Sequence, residues 1–320
     1  MINITVRKKP NLKSFPSDII IHISKYLSNK EIKKLSFASK QLWESLITEI
    51  IFDDHSFAKL TANNKKKVRK IIVYDEKTIE QLPENLSDLT LGMYYSNSEY
   101  LSKKLPNKLK KLTLGSNNRN VPPKNLPIRS SHISSGLDFD LPESLTHLTF
   151  GWNYNQTLSV QLPQSLQYLA FGFYYNQPLP ACLPINLLSI TFGYHYNKLL
   201  PKLPDGLEQL VFGYSYNQPI SCLPDTISSI SFGDCFNQPM QGLPKNLKYL
   251  SFGNSYNQSL PCLPNSLEYL SFGYSFDQCL PDSLPFNLTD LILGDQYDKP
   301  LPKLPLKLKN IILGYRSKYK

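Results

Sequence analysis

Residues 251–281 read SFGNSYNQSLPCLPNSLEYLSFGYSFDQCLP, and the stretch states one pattern twice. Ser-Phe-Gly is followed by an aromatic residue with Asn or Asp and Gln, then by Leu-Pro, and the sequence begins again about twenty residues later. Moving outward from this stretch, Leu-Pro pairs in the same slot start at Leu82, Leu105, Leu126, Leu141, Leu162, Leu183, Leu203, Leu223, Leu243, Leu263, Leu284 and Leu304. From Leu141 onward every step is 20 or 21 residues, a regularity that marks a solenoid of stacked coils. The one short step falls at 126–140, LPIRSSHISSGLDFD, which lacks the Phe-Gly half of the unit and reads as a degenerate coil.

One complete unit, LTHLTFGWNYNQTLSVQLP (145–163), shows the internal grammar. Leu145, Leu148 and Phe150 follow a Leu-x-x-Leu-x-apolar spacing, whose last two residues point to one face of a strand. Eleven of the fourteen glycines, among them Gly151, Gly172, Gly193 and Gly213, sit directly after that strand. A slot reserved for Gly implies either positive φ or close backbone approach at a corner between coils. Next comes an aromatic-Asn pair, from Tyr154-Asn155 to Tyr256-Asn257, which becomes Phe276-Asp277 and Tyr297-Asp298 near the end. An Asn side chain both donates and accepts, so stacked copies are expected to satisfy the backbone of adjacent coils. A single coil loses more conformational entropy on ordering than its half-dozen apolar side chains offset, so each coil needs the next as its hydrophobic partner.

The phrase FGYSYNQPISCLP and its copies resemble FNIP repeats, a leucine-rich-repeat variant, over about residues 82–315. VRKIIV (68–73) echoes the same apolar spacing and is a candidate N-terminal cap coil.

The first sixty residues obey another rule. FPSDIIIHISKYLSNKEIKKLSFASKQLWESLITEI (15–50) carries Ile19, Ile20, Ile23, Tyr26 and Leu27, then Ile32, Leu35 and Phe37, then Leu42, Trp43, Leu46 and Ile47. These i, i+3, i+4 spacings predict three short amphipathic helices, with Pro16 in the first turn of the first and a Ser28/Glu31 capping box opening the second. The segment resembles an F-box: Phe15-Pro16 stands in the family's Leu-Pro position, and Ser39-Lys40-Gln41-Leu42-Trp43 in its hydrophobic-Cys/Ser-basic-x-Trp stretch. Phe15 departs from the family's Leu and makes that contact bulkier. The resemblance implies docking on a Skp-type adaptor of a cullin-RING ubiquitin ligase, through Phe15, Pro16, Ile19, Ile20, Ile23, Leu27, Ile32, Leu35 and Trp43. The alternative reading is that these helices only cap the open core of the first coil.

The expected fold is therefore α+β: a three-helix F-box-like domain at 1–60, a basic linker and cap at 61–81, and a leucine-rich-repeat-like parallel β solenoid of about 11–12 coils at 82–320. Composition sets further expectations. No run of 18 apolar residues is present, and the opening MINITVRKKPNLKS lacks the apolar core of a signal peptide. Cys182, Cys222 and Cys262 share one slot in alternate coils, about 10 Å apart at the usual strand spacing, beyond disulfide reach. Free thiols point to a reducing, intracellular setting. Residues 1–80 hold 16 Lys/Arg against 9 Asp/Glu, whereas the rest hold 19 against 16, which makes the repeats poor phosphate binders. KKKVRK (65–70) reads either as a nuclear-import or nucleic-acid signal or as a solvated linker. Lysines at 303, 307, 309, 318 and 320 are placed to blunt the last open edge.

Catalysis is not indicated. The five histidines have no ligand spacing, Cys-x-x-Cys is absent, and no Gly-rich loop opens a helix, so neither an enzyme nor a cofactor is expected. The position after the corner Gly reads Trp152, Phe173, Tyr194, Tyr214, Asp234, Asn254 and Tyr274, rich in large amphipathic residues enriched at interface hot spots. This row is the candidate target-binding surface, and the same residues read alternatively as an aromatic stack within the spine. The expected function is a ligase substrate receptor, the alternative a non-enzymatic scaffold.

Overall fold

Two turns bend each coil, and the repeated residues explain both. In Leu-Pro-x-x-Leu the Pro carbonyl accepts the amide of the second Leu, as in Leu145 N–H to Pro142 O at 3.0 Å and Leu247 N–H to Pro244 O at 3.2 Å. Pro occupies the first turn position, so its missing N–H leaves no gap, and the flanking Leu residues point into the core. In Gly-x-x-aromatic the corner carbonyl accepts the aromatic residue's amide, as in Tyr154 N–H to Gly151 O at 3.2 Å. Between the two turns runs a strand of three to six residues.

The computed structural model describes residues 28–36, 46–92, 105–116, 140–159 and 161–314. In chain order these form α1 (Asn29–Ser36), β1 (Ile51–Asp53), α2 (Asp54–Ala58), α3 (Ala62–Lys65), β2 (Lys70–Val73) and α4 (Glu76–Ile79). The repeats follow as β3 (Asp88–Gly92), β4 (Lys111–Ser116), β5 (His147–Phe150), β6 (Tyr168–Ala170), β7 (Ser189–Thr191) and β8 (Gln209–Val211). The series ends with β9 (Ser229–Ser231), β10 (Tyr249–Ser251), β11 (Tyr269–Ser271), β12 (Asp290–Ile292) and β13 (Asn310–Ile312). All thirteen strands join one sheet in strict sequence order, and every pair is parallel. The architecture is a parallel β solenoid with few helices.

The core consists of repeated columns. Phe150, Phe171, Phe192, Phe212, Phe232, Phe252 and Phe272 stack from coil to coil at 5.2–5.7 Å between ring centroids. A second column runs from Tyr154 through Tyr216 to Tyr297 at 5.9–6.2 Å. Its residues are all at most 1% exposed, and burial holds the phenols of Tyr175, Tyr196, Tyr216 and Tyr256 above their ordinary value, so they stay neutral.

An amide ladder ties the coils together. Asn155 Oδ1 accepts the backbone N–H of Asn176, Asn176 that of Asn197, Asn197 that of Asn217, and so on through Asn257 to Asp277, each at 2.8–2.9 Å. The same oxygen accepts a second bond from the Gln of the next coil, for example Gln238 Nε2 at 3.2 Å. Where the Asn becomes Asp277, the following Gln becomes Lys299, and an ion pair at 2.9 Å replaces the amide bond. One substitution matches the other across the coil boundary.

The corner glycines are there for close approach. A Cβ at Gly151, Gly172, Gly193, Gly213, Gly233, Gly253, Gly273, Gly294 or Gly314 would overlap backbone atoms of the preceding coil. Gly115, at φ 68°, is the one described glycine with positive φ.

At the N-terminal end the sheet starts earlier than the repeat pattern, at Ile51. β2 lies within VRKIIV, the expected cap coil, and Lys70 in it pairs with Glu49 at 3.2 Å. Glu31 accepts the amide of Ser28 at 2.8 Å at the start of α1, as the capping-box spacing implied. Asn29 then clamps the free edge of β1: its Nδ2 donates to Ile51 O at 2.8 Å and its Oδ1 accepts from Ile51 N–H at 2.9 Å. One side-chain amide thus takes the place of a neighbouring strand. The first expected helix, most of the third, and the degenerate coil at 126–139 lie outside the described residues, although β4 pairs directly with β5.

Gly213→Val should lower the thermal midpoint far more than Ser215→Val. The first forces a side chain into the Gly193 carbonyl and should cost on the order of 4 kcal/mol or more, the second about 1 kcal/mol or less. Circular-dichroism melts of the two variants check this.

Candidate interaction surface

Position one after each corner is thrown outward, because the turn sends the third residue after Gly inward. Tyr154, Tyr175, Tyr196 and Tyr216 therefore fill the core, while Trp152 (38% exposed), Tyr194 (37%), Tyr214 (42%) and Tyr274 (48%) face solvent. The outward rings still stack on one another. Trp152 and Phe173 lie 4.4 Å apart at 3°, Phe173 and Tyr194 4.6 Å at 19°, Tyr194 and Tyr214 4.6 Å at 3°. The row is both stacked and exposed, so it does not form part of the buried spine.

Beyond Tyr214 the row turns polar. Asp234 Oδ1 accepts the amide of Asn254 at 3.2 Å, and Asn254 Oδ1 accepts that of Tyr274 at 3.2 Å. Cys235, then Tyr194 and Asp234, hold the Tyr214 phenol above its ordinary value.

The next position adds Tyr174 and His195, stacked at 5.2 Å and 7°. His195 meets Phe173 and Tyr194 edge-on at 5.0 Å each. Six rings, those of Trp152, Phe173, Tyr174, Tyr194, His195 and Tyr214, thus form one cluster across four coils. Tyr174 and His195 were absent from the expected row because they occupy the next slot, which is Ser in several other coils, as at Ser215, Ser255 and Ser275.

Another aromatic group lies on the first outward strand position: His147 stacks on Tyr168 at 4.3 Å and Tyr249 on Tyr269 at 4.4 Å. Burial, followed by the nearby Lys111, depresses the His147 imidazole below its ordinary value against an opposing pull from Asp88, which favours the neutral ring at physiological pH. The signal for this group was present in the repeat, since Tyr168, Tyr249 and Tyr269 share a slot.

The candidate adaptor-binding residues Phe15, Pro16, Ile19, Ile20, Ile23, Leu27 and Trp43 lie outside the described residues. Leu35 belongs to α1, and Ile32 is 6% exposed and packs into the core shared with the solenoid. All five cysteines are free thiols. Among the described residues no His, Cys, Asp and Glu group has a metal-holding arrangement, and no helix is long and apolar enough to cross a membrane.

Comparison with known proteins agrees with this geometry. The FNIP Repeat family matches residues 137–174, 199–235, 236–275 and 256–295. Those stretches, which together span 135 of the 320 residues, are similar to FNIP repeats. The crystal structure of CroV588, described as a novel circular LRR protein, is 29% identical over 83% of this chain with a TM-score of 0.61. YopM from Yersinia enterocolitica WA-314 is 21% identical over 77% of this chain, at a TM-score of 0.47. This chain spans 43% of the length of CroV588 and 53% of that of YopM. No curated protein matches the sequence. The coils thus stack as a solenoid similar to that of a leucine-rich-repeat protein, a fold that is typically a non-enzymatic, protein-binding scaffold.

Replacing Trp152, Phe173 and Tyr194 together with Ser should leave the circular-dichroism spectrum unchanged and cost roughly 1–3 kcal/mol, the worth of the lost stacking pairs. Ser at the fully buried Tyr175 alone should cost more, about 3–5 kcal/mol. Chemical denaturation of both variants gives the comparison.

Proposed function

We propose that this chain is a substrate-recognition subunit of a cullin-RING ubiquitin ligase, in which the N-terminal segment docks on a Skp-type adaptor and the aromatic row captures a target protein. The observation that carries target capture is the six-ring cluster, stacked on a rigid scaffold yet open to solvent, with the aromatic enrichment of an interface hot spot. Adaptor docking is supported by the F-box-like order of Phe15-Pro16, the apolar helical face and Trp43. The chain supplies proximity and performs no chemistry of its own. An incoming nucleic acid is disfavoured, because the repeats carry only a small excess of positive charge.

The second reading, a scaffold whose N-terminal helices only cap the solenoid, draws support from two particular contacts. Asn29 closes the edge of β1, and Ile32 packs into the shared core. Both lie on α1, so α1 caps the sheet under either reading, and what separates the readings is the segment around Phe15 and Pro16.

The test is binding of the intact chain to a purified Skp-type adaptor. Phe15→Ala with Pro16→Ala should weaken it by roughly a hundredfold, because truncating interface anchors costs upward of about 1–2 kcal/mol each. The thermal midpoint of the repeats should barely move. Absence of adaptor binding by the wild-type chain at micromolar concentration would leave the scaffold reading.

A further inference from the structure

The aromatic cluster restricts what it can hold. Its ring faces are covered by one another at 4.4–4.6 Å, close to the thickness of an aromatic ring at about 3.5–4 Å, so no flat group slides between them. Between the rings only the edges remain open, and they carry the hydroxyl of Tyr194 and the indole N–H of Trp152, while the Tyr214 hydroxyl is engaged with the Cys235 side chain. These are hydrogen-bond donors set among apolar C–H edges. They suit a partner with an apolar ridge and unused carbonyl acceptors.

The spacing narrows the choice further. Adjacent rings are separated by 4.4 and 4.6 Å, so two rungs advance about 9 Å, the length of one polyproline II turn of three residues at about 3.1 Å each. An α-helix repeats every 5.4 Å or so and a strand dyad every 6.6–6.8 Å or so, and neither fits one rung or two. Polyproline II also has no internal hydrogen bonds, so its carbonyls are free to accept from Trp152 and Tyr194. Residues i and i+3 of such a segment fall over Trp152 and Tyr194, and residue i+6 falls over Asp234, two rungs further on.

Charge completes the match. In a chain of net charge +10, the two outward positions after the corner hold no Lys or Arg from Trp152 to Gln296, and they hold Asp234 and Asp295. The carboxylate of Asp234 therefore meets the sixth residue along the segment without a competing cation in either row.

We infer that the row Trp152–Phe173–Tyr194–Tyr214–Asp234 is a docking track for a proline-rich segment in the polyproline II conformation, with prolines at i and i+3 and a basic residue at i+6. This rests on the reading of the row as the capture surface. Either chain direction is compatible, because the polyproline II ridge is nearly symmetric end to end.

The test uses the full chain and dye-labelled peptides PPLPPLR and RLPPLPP, with PPLPPLQ and GGLGGLR as controls, followed by fluorescence anisotropy. At least one Arg-bearing proline peptide should bind with Kd below about 100 μM, a usual range for proline-rich recognition, and GGLGGLR should not. Trp152→Ser with Tyr194→Ser should weaken binding at least tenfold. Asp234→Asn keeps the acceptor for the Asn254 amide, so the coil stays intact; it should weaken the Arg peptide about three- to tenfold and leave PPLPPLQ unchanged. No binding by either Arg peptide, equal binding of GGLGGLR, or an equal effect of Asp234→Asn on the Arg and Gln peptides overturns the inference. A target whose capture needs the row while the peptides fail would sink the polyproline inference and leave the capture surface standing. Peptide binding on the row with target capture indifferent to it would do the reverse.

Discussion

A backbone carbonyl packed against the α-carbon of the next coil's glycine is the contact on which the rest of this solenoid depends. At Gly193 and Gly213 the approach leaves no volume for a β-carbon, and the same holds along the corner from Gly151 to Gly314. That closeness brings the following turn near enough for Asn197 to accept the amide of Asn217 at 2.9 Å, and for Asn217 to do so for Asn237. Backbone groups of the irregular segment past the turn, which ordinarily face water, are thus satisfied inside the stack. With corner and ladder both fixed, a coil has little freedom in length, and the 20- or 21-residue period follows.

Regular stacking then determines what the surface looks like. Every slot becomes a column, so an inward aromatic becomes a buried stack, and an outward aromatic becomes an exposed one with the same period. The cluster around Trp152, Phe173 and Tyr194 owes its rigidity to this. Its rings are held by neighbours above and below as well as by their own coil, and little side-chain entropy is left to lose on binding. A surface built this way can change identity from coil to coil, as the passage from Tyr214 to Asp234 shows, without altering the backbone beneath it.

The repeated part of the fold was legible because each structural demand recurs in register. Leu-Pro marked the period, Leu148 and Phe150 the inward strand face, and Asn155 with its copies the ladder. The reason for Gly in the corner was not legible, since positive φ and close approach both select Gly; the structure assigns nine corners to approach and positive φ to Gly115. The start of the sheet was hidden as well. Ile51–Asp53 is a three-residue strand with no Gly corner after it, and its edge is closed by Asn29, 22 residues away, a contact no local spacing reveals. Of the candidate site, the row could be read but not its exposure, because large amphipathic rings serve equally well in a spine or at an interface. Tyr174 and His195 depart from the small residue usual in their slot, and a departure of that kind is where a repeat protein carries information that its repeat does not need.

Amide hydrogen exchange of the intact chain tests the central claim most directly. The N–H groups of Asn197, Asn217, Asn237 and Asn257 lie in irregular backbone just past the corner turns, yet each is bound to a side-chain oxygen of the preceding coil at 2.9 Å. They should exchange as slowly as the strand amides of Leu210, Ile230 and Leu250, in one cooperative unit. Exchange of these four amides at the rate of ordinary exposed turns, with the strands still protected, would contradict the account.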